Sequence, residues 1–256
     1  MGKASMTVTA LAGIPPVKPG DDLAGLLATA LAGCGREPVA GDVLVVAQKI
    51  VSKAEGRYRR LADVVPSERA RELAAVTGKD ARLVELVLGE STDVLRAKTN
   101  VMIVAHRLGL VMANAGIDQS NLEADDDGRR VLLLPEDPDA SAARLSEALS
   151  RRFGQALAVV ISDSVGRAWR RGTVGLAIGA AGLPALIDQR GEPDLVGRTL
   201  MVTETAFADA VAAAAVLVMG EGREGTPAAL VSGLSWTAAA QPARALVRAK
   251  AEDLFR

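Results

Sequence analysis

Aromatic side chains are scarce in this sequence: three phenylalanines, two tryptophans and one tyrosine serve 256 positions. That scarcity argues against a surface that stacks exposed nucleic-acid bases. Cysteine is scarcer still. Cys34 stands alone, which excludes an internal disulfide and a cysteine-based zinc site, and it reads as a small buried apolar residue. The single histidine, His106, falls at an expected hairpin turn. It reads as solvent-exposed, so a Ser-His-Asp triad is not expected. No apolar run is long enough to span a bilayer, and the first residues lack a signal-peptide pattern, so a cytoplasmic protein without a membrane partner is expected. The formal net charge of -1 supplies no basic field for nucleic acid.

What is present suits a globular domain with an ample core: 49% of residues are hydrophobic and 24% charged. The apolar patterning predicts strands over 7–12, 43–47, 131–134, 174–178, 186–187, 199–203 and 228–231. A hairpin is expected from 101–105 and 109–113, turning at Arg107-Leu108. Helices are expected over 23–31, capped by Asp21 or Asp22, and over 67–77 and 80–89. Further helices are expected over 142–153, capped by Asp139 or Ser141, over 205–219 and over 243–255. The segment 48–57 mixes charge into an extended pattern, 123–127 is an acidic turn, and 188–198 is a loop. Strands and helices mix without regular βαβ alternation, so the fold class is α+β.

The sequence AVVISDSVGRAWRRGTVG, residues 158–175, organises the chemistry. Four apolar residues deliver Ser162, Asp163 and Ser164, Gly166 turns the chain, and Arg167, Arg170 and Arg171 follow. A carboxylate at a strand tip can hold a divalent cation, and guanidinium groups beyond it can hold phosphates or carboxylates. A strand end with a solvated basic turn fits equally well. In GIDQSN, Asp118 and Asn121 can face one ligand or simply build an Asx-turn. MGEGREGTP, from Met219, adds a third acid, Glu221, among glycines that let backbone amides approach a phosphate, or that cap a helix. It is not a P-loop. Lys53 and Glu55 lie two apart at an expected strand end, where Lys53 is either a phosphate contact or half of a surface ion pair. Gln48 and Lys49 are weaker candidates of the same kind. Trp169 is a stacking ring or an interface residue. Acidic strand tips, glycine loops and guanidinium clusters together suit metal-assisted chemistry on a phosphorylated ligand.

GIP near the N-terminus, GDVLVVAQKIVSKAEGR, NAGIDQSN, LLLPEDPDASA, ISDSVGRAWRRGTVGLAIG and MGEGREGTPA occur in that order. Together they resemble the coenzyme F420-0:L-glutamate ligases, the CofE-like family, over essentially the whole chain. The resemblance implies a GTP-dependent ligase that uses magnesium or manganese at two sites, with potassium as a helper. The deazaflavin coenzyme and L-glutamate are the implied substrates, a first glutamate joining the terminal carboxylate and a further one joining through a γ-linkage, with the number added in this protein left open. It implies Asp118 and Asp163 on one metal, Ser164 and Glu221 on the second, and Asp118, Asp163 and Lys53 as the catalytic set. It places Ile14, Pro15, Pro16, Val17, Gln48, Lys49, Lys53, Asn121, Met219, Gly220, Glu221, Gly222, Arg223, Glu224, Gly225 and Thr226 in the GTP site. Gln48 and Lys49 depart from the small hydroxyl residues associated with the family there. Arg167, Arg170 and Arg171 are assigned to the acidic coenzyme tail or the incoming glutamate on charge alone.

The fold implied is CofE-like, a mixed α/β arrangement with largely antiparallel or mixed sheets, and the assembly an intertwined homodimer. Residues 1–256 are expected to form one ligase domain, of one or two subdomains, without the fused reductase domain of many relatives. Whether the chain stands alone or is part of a longer one stays open. Two other readings stand beside this one: a carboxylate-amine ligase with a different acceptor, and a non-catalytic nucleotide-binding module.

Overall fold

The computed structural model describes residues 5–35, 37–120 and 130–254. In chain order the elements are β1 (Thr7–Ala10), α1 (Leu23–Ala32), β2 (Val43–Ala47), α2 (Gln48–Ala54) and β3 (Tyr58–Arg60). Next come α3 (Glu68–Thr77), α4 (Ala81–Gly89), β4 (Ser91–Lys98), β5 (Val101–His106), β6 (Val111–Ala113) and β7 (Arg130–Leu132). The remainder is α5 (Pro138–Phe153), β8 (Ala158–Gly166), β9 (Thr173–Ala181), β10 (Leu186–Asp188), β11 (Glu204–Ala206), α6 (Phe207–Met219) and β12 (Ala228–Ser232).

Five strands form the central sheet in the order β1-β12-β2-β8-β9. Every pairing is antiparallel except β2 with β8, which is parallel. β2 reads VLVVA because both of its faces are buried. Leu44 and Val46 enter one core with Leu27 and Leu31 of α1 and Leu145 and Leu149 of α5. Val43 and Val45 enter the opposite core with Val211, Ala212 and Ala215 of α6. Alanine richness in α6 lets that helix lie close to the sheet: a Cβ at Gly175 of β9 would meet the Ala212 carbonyl at 2.5 Å. A second lobe packs α3 and α4 on β5 and β7, around Leu73, Val84, Val87, Met102, Val104, Val131 and Leu133. The sheets are thus mixed and antiparallel, as the resemblance implies.

Several boundaries differ from expectation, each for a local reason. Residues 48–54 form helix α2 instead of an extended segment, with Ile50 and Val51 turned into the core and the Ser52 hydroxyl donating to Gln48 Oε1 at 3.0 Å one turn back. Helix α5 starts four residues early, because Pro138 occupies its first turn and Asp137 accepts the Ala140 N–H at 2.9 Å. Asp139, a candidate cap, instead accepts the N–H groups of Ala180 and Ala243 at 2.9 and 2.7 Å. The expected strand over 199–203 is displaced to β11, and α6 begins at Phe207. The expected C-terminal helix is two short 3-10 turns, Ala243–Leu246 and Lys250–Glu252. The hairpin at Arg107-Leu108 forms, and β4, which the patterning missed, pairs with its first strand.

His106 is a correction. It is buried, with 1% of its surface exposed. Its Nδ1 accepts the Leu108 N–H at 2.9 Å, so the ring proton sits on Nε2, which lies 3.5 Å from Glu90 Oε2. Glu90 also receives Arg107 Nε at 3.1 Å and an Arg57 guanidinium nitrogen at 3.3 Å. Cys34 is partly buried against the first core. The acidic turn 123–127 and Asn121 lie outside the described residues.

Candidate active site

Parallel pairing of β2 with β8 brings both strand ends to the same edge, with Ala47 opposite Ser162. At that edge the chain opens a cavity of about 1020 Å³. From β2 the chain turns directly into α2. From Ile161 it passes through a register irregularity against β9 into Ser162, Asp163 and Ser164. A β-bulge of this kind re-aims the side chains beyond it. The third component follows α6: residues 219–227, whose Thr226 hydroxyl donates to the Met219 carbonyl at 2.9 Å and so closes the loop at its base.

The cavity gathers nearly every residue the sequence nominates. Ile14, Pro15, Pro16 and Val17 line it, as do Gln48, Lys49, Lys53, Asp118, Asp163, Ser164 and all of Met219 to Thr226. Lys49 and Lys53 are one helical turn apart on α2 and share its cavity face. Glu55 caps α2 and is held by Arg144 at 2.7 Å and by the Ser141 hydroxyl. Within the loop, Glu224 folds back to accept the Gly222 N–H at 2.8 Å. Arg167, Arg170 and Arg171 do not line the cavity: they sit at the exposed tip of the β8–β9 hairpin beside Trp169, which is 87% exposed at φ +65°.

The acids differ in their surroundings. Burial drives the Asp163 carboxyl up to about 6, and the neighbouring Asp118 and Glu221 carboxylates push the same way against hydrogen bonds from Ser164 and Gln48. Burial also acts on Asp118. There the Lys49 ammonium, at 2.6 Å, and the Ser120 N–H, also at 2.6 Å, outweigh it and hold the group below the usual carboxylate range. Ser164 donates its hydroxyl to Glu221 Oε1 at 2.6 Å. Asp118 is presented by a left-handed turn through Asn114, Ala115 and Gly116, at φ +51°, +53° and +67°. Gly116 is required there, because a Cβ would meet the Leu134 side chain at 2.9 Å.

The donors are all oxygen: three carboxylates and a hydroxyl, with the partly buried Asp163 between Asp118 and Glu221 electrostatically. That set fits a hard cation, which would offset the desolvation and then the repulsion that raise Asp163. Among the described residues no group of three or more histidine, cysteine, aspartate or glutamate side chains is arranged to hold a metal ion by itself. An open oxygen site of this kind suits a cation whose shell is completed by phosphate oxygens. Cavity residues that sequence reasoning missed include Lys18, Ser120, Tyr58 and Arg130. Ser120 lay inside a recognised motif; Tyr58 and Arg130 reach the cavity only through strand pairing.

No helix among the described residues is long and apolar enough to cross a membrane. Comparison with known proteins agrees with the motif series. The family model F420-0:Gamma-glutamyl ligase matches residues 13–233. The coenzyme F420:L-glutamate ligase of Methanothermobacter thermautotrophicus is 45% identical over 246 residues, covering 95% of this chain and 96% of that protein. That of Methanopyrus kandleri is 44% identical over 244 residues, or 94% and 93% of the two chains. That of Natronomonas pharaonis is 46% identical over 232 residues, or 88% and 85%. A family model spanning most of the chain, with relatives at this identity over nearly its full length, establishes that the protein belongs to the F420-0:gamma-glutamyl ligase family.

Proposed function

We propose that this enzyme joins L-glutamate to the terminal carboxylate of coenzyme F420-0, using GTP, and extends the product with further γ-linked glutamates. The observation that carries this reading is the meeting, in one cavity, of Asp118, Asp163, Ser164 and Glu221 with Lys49, Lys53 and the glycine-rich 219–226 loop. Such a site must bring two anions together, a nucleotide triphosphate and a carboxylate. It needs fixed cations and amides around the phosphates for that purpose.

The reaction runs in two displacements. An oxygen of the acceptor carboxylate attacks the γ-phosphorus of GTP, the bond to the β-phosphate oxygen breaks, and GDP leaves with that electron pair. The α-amine of glutamate, having lost a proton, then attacks the acyl carbon. The C–O bond to phosphate breaks, and amide and inorganic phosphate result. Lys53 and Lys49, on the cavity face of α2, are placed to offset phosphate charge. The Met219–Thr226 stretch, with Ile14 to Val17 and Asn121, is assigned to the nucleotide. Asp118 and Asp163 would hold one divalent cation, magnesium or manganese, and Ser164 with Glu221 a second, with potassium as a further helper. Bound there, the cations would polarise the phosphoryl oxygens. The tip arginines Arg167, Arg170 and Arg171 stay assigned to acidic substrate only as an approach surface outside the cavity.

A homodimer belongs to the same reading. The exposed Leu195, Val196, Met201, Val202 and Leu217 offer apolar surface for a second copy. The testing experiment is product mass spectrometry with GTP or ATP, Mn²⁺, glutamate and the deazaflavin acceptor. The reading requires a gain of one or more glutamyl units with GTP and release of GDP and phosphate. Absence of any glutamylated product refutes it.

A further inference from the structure

One wall of the cavity is a β-ribbon whose role no motif assigns. β3 and β7 pair with Tyr58 opposite Leu132, Arg59 opposite Val131 and Arg60 opposite Arg130. Leu132 is also bridged to Asp118 through two hydrogen bonds of 2.9 Å. Residues directly opposite in a sheet share a face, and neighbours along a strand alternate. Val131 and Leu133 are buried in the core of the second lobe. Leu132 and Arg130 therefore lie on the other face, together with Tyr58, Arg60 and Asp118. The face that presents the acid Asp118 to the cavity is the face that presents Tyr58 and Arg130.

The spacing is that of a second subsite. Two strand separations put the Tyr58 backbone about 10 Å from that of Asp118. The Arg130 guanidinium carbon lies 5.8 Å from the centre of the Tyr58 ring, a cation-π contact that limits how far the fork can swing. Tyr58 is the one aromatic side chain on the cavity wall among the described residues. The cationic side chains on that wall are Lys18, Lys49, Lys53, Arg130 and Arg223. Lys49 is engaged by Asp118, and Lys53 is on the same face of α2. Arg130 is a guanidinium on a different element, β7, from both lysines and from the glycine loop that carries Arg223.

We propose that Arg130, oriented by Tyr58, is the carboxylate-binding residue of this cavity, holding a carboxylate of the acceptor or of the incoming glutamate while the phosphates occupy the Asp118–Asp163–Glu221 end. A planar fork accepts a carboxylate in two parallel hydrogen bonds, which fixes orientation as well as position. Arg60, opposite Arg130 on the same face, adds a second positive charge at the outer end. This assignment rests on the ligase reading for the identity of its ligands and deepens it. It also moves substrate recognition from the hairpin-tip arginines to the ribbon.

The test is isothermal titration of the full-length protein, wild type and Arg130→Gln, Arg130→Lys and Tyr58→Leu. Titrants are L-glutamate, the F420-0 acceptor and a non-hydrolysable GTP analogue with Mn²⁺. Arg130→Gln should weaken one of the two carboxylate ligands by about 10- to 100-fold. The GTP analogue should bind within about twofold of wild type. Arg130→Lys should recover only part of the loss, and Tyr58→Leu should weaken the same ligand less. Whichever ligand responds names the source of the carboxylate. Loss of nucleotide binding in parallel overturns the assignment and places Arg130 in the nucleotide site. Unchanged binding of all three ligands, in variants with wild-type melting temperature, overturns it too. Because the readout is binding, a wild-type protein that makes no glutamylated product refutes the ligase reading without touching this result.

Discussion

The ammonium of Lys49 lies 2.6 Å from Asp118 Oδ2 and donates to Ser120 Oγ at 3.0 Å. A lysine so placed occupies ground that a divalent cation on Asp118 would need. If Asp118 holds the proposed cation, metal and Lys49 would compete for one carboxylate, and Lys49 would be free to turn toward the phosphates. The pair is partly exposed, so its strength is modest, of the order of 1 kcal/mol. Lys49→Met should tighten Mn²⁺ binding to nucleotide-free protein by about fivefold, read by the free-ion electron paramagnetic signal. It should weaken binding of the GTP analogue by about tenfold. Weaker Mn²⁺ binding in the variant would contradict the competition.

Asp163 gives the opposite kind of signal. Its carboxyl titrates at about 6, raised by burial and then by Asp118 and Glu221. A folded-state value above the unfolded one means the favourable contribution is present below pH ~4 and is lost as pH rises through ~6. At neutral pH the ionised group costs stability, at most about 3 kcal/mol. Asp163→Asn should raise the melting temperature of metal-free protein at pH 7.5, with the gain vanishing near pH 4. The same variant should lose Mn²⁺-induced stabilisation and at least about 100-fold in turnover.

Gly116 fixes where Asp118 points. Alanine there meets both a left-handed backbone, at φ +67°, and the Leu134 side chain. Gly116→Ala should cost about 2–3 kcal/mol in urea unfolding and weaken metal binding. Gly154→Ala is the control, since it has φ +65° but open space around a new Cβ, and should cost about 1 kcal/mol.

Glu90 carries a stability prediction remote from the chemistry. The His106 imidazole, 3.5 Å away, then the Arg107 and Arg57 guanidinium groups, hold its carboxyl down at about 2 against burial. A lowered value means the contribution is present above the unfolded pKa and fades as pH falls toward 2. Glu90→Gln should therefore cost about 3 kcal/mol at pH 7, and the gap to wild type should close below pH 4. Denaturant titrations at the two pH values measure it.

These residues also mark what the sequence makes legible. Asp163 and Ser164 stand out because an apolar run ends on them, and the 219–227 loop because glycines surround one acid. Helix α2 is hidden: Ile50 and Val51 continue the β-branched texture of β2, and only the spacing of Lys49 with Lys53 carries the helical signal. Burial of His106 depends on a glutamate from another element, which periodicity around the turn does not register. Tyr58 and Arg130 are far apart in sequence and meet only by cross-strand register. The tip arginines show the converse, since charge density alone does not say whether a side chain faces a cavity or solvent.

The parallel pair β2 with β8, the one such pair among the described residues, has a consequence for how the protein comes to exist. Between Ala47 and Ala158 the chain makes the entire second lobe and helix α5 before the two central strands can meet. Closing so long a loop is slow, and contacts of high sequence separation dominate the sheet. Helices α3 to α5 can form early, whereas the edge that carries α2 and Asp163 is assembled only at closure. In refolding from denaturant, nucleotide-binding competence should therefore lag behind recovery of helical signal, so ligand capture becomes a clock for the last step of folding.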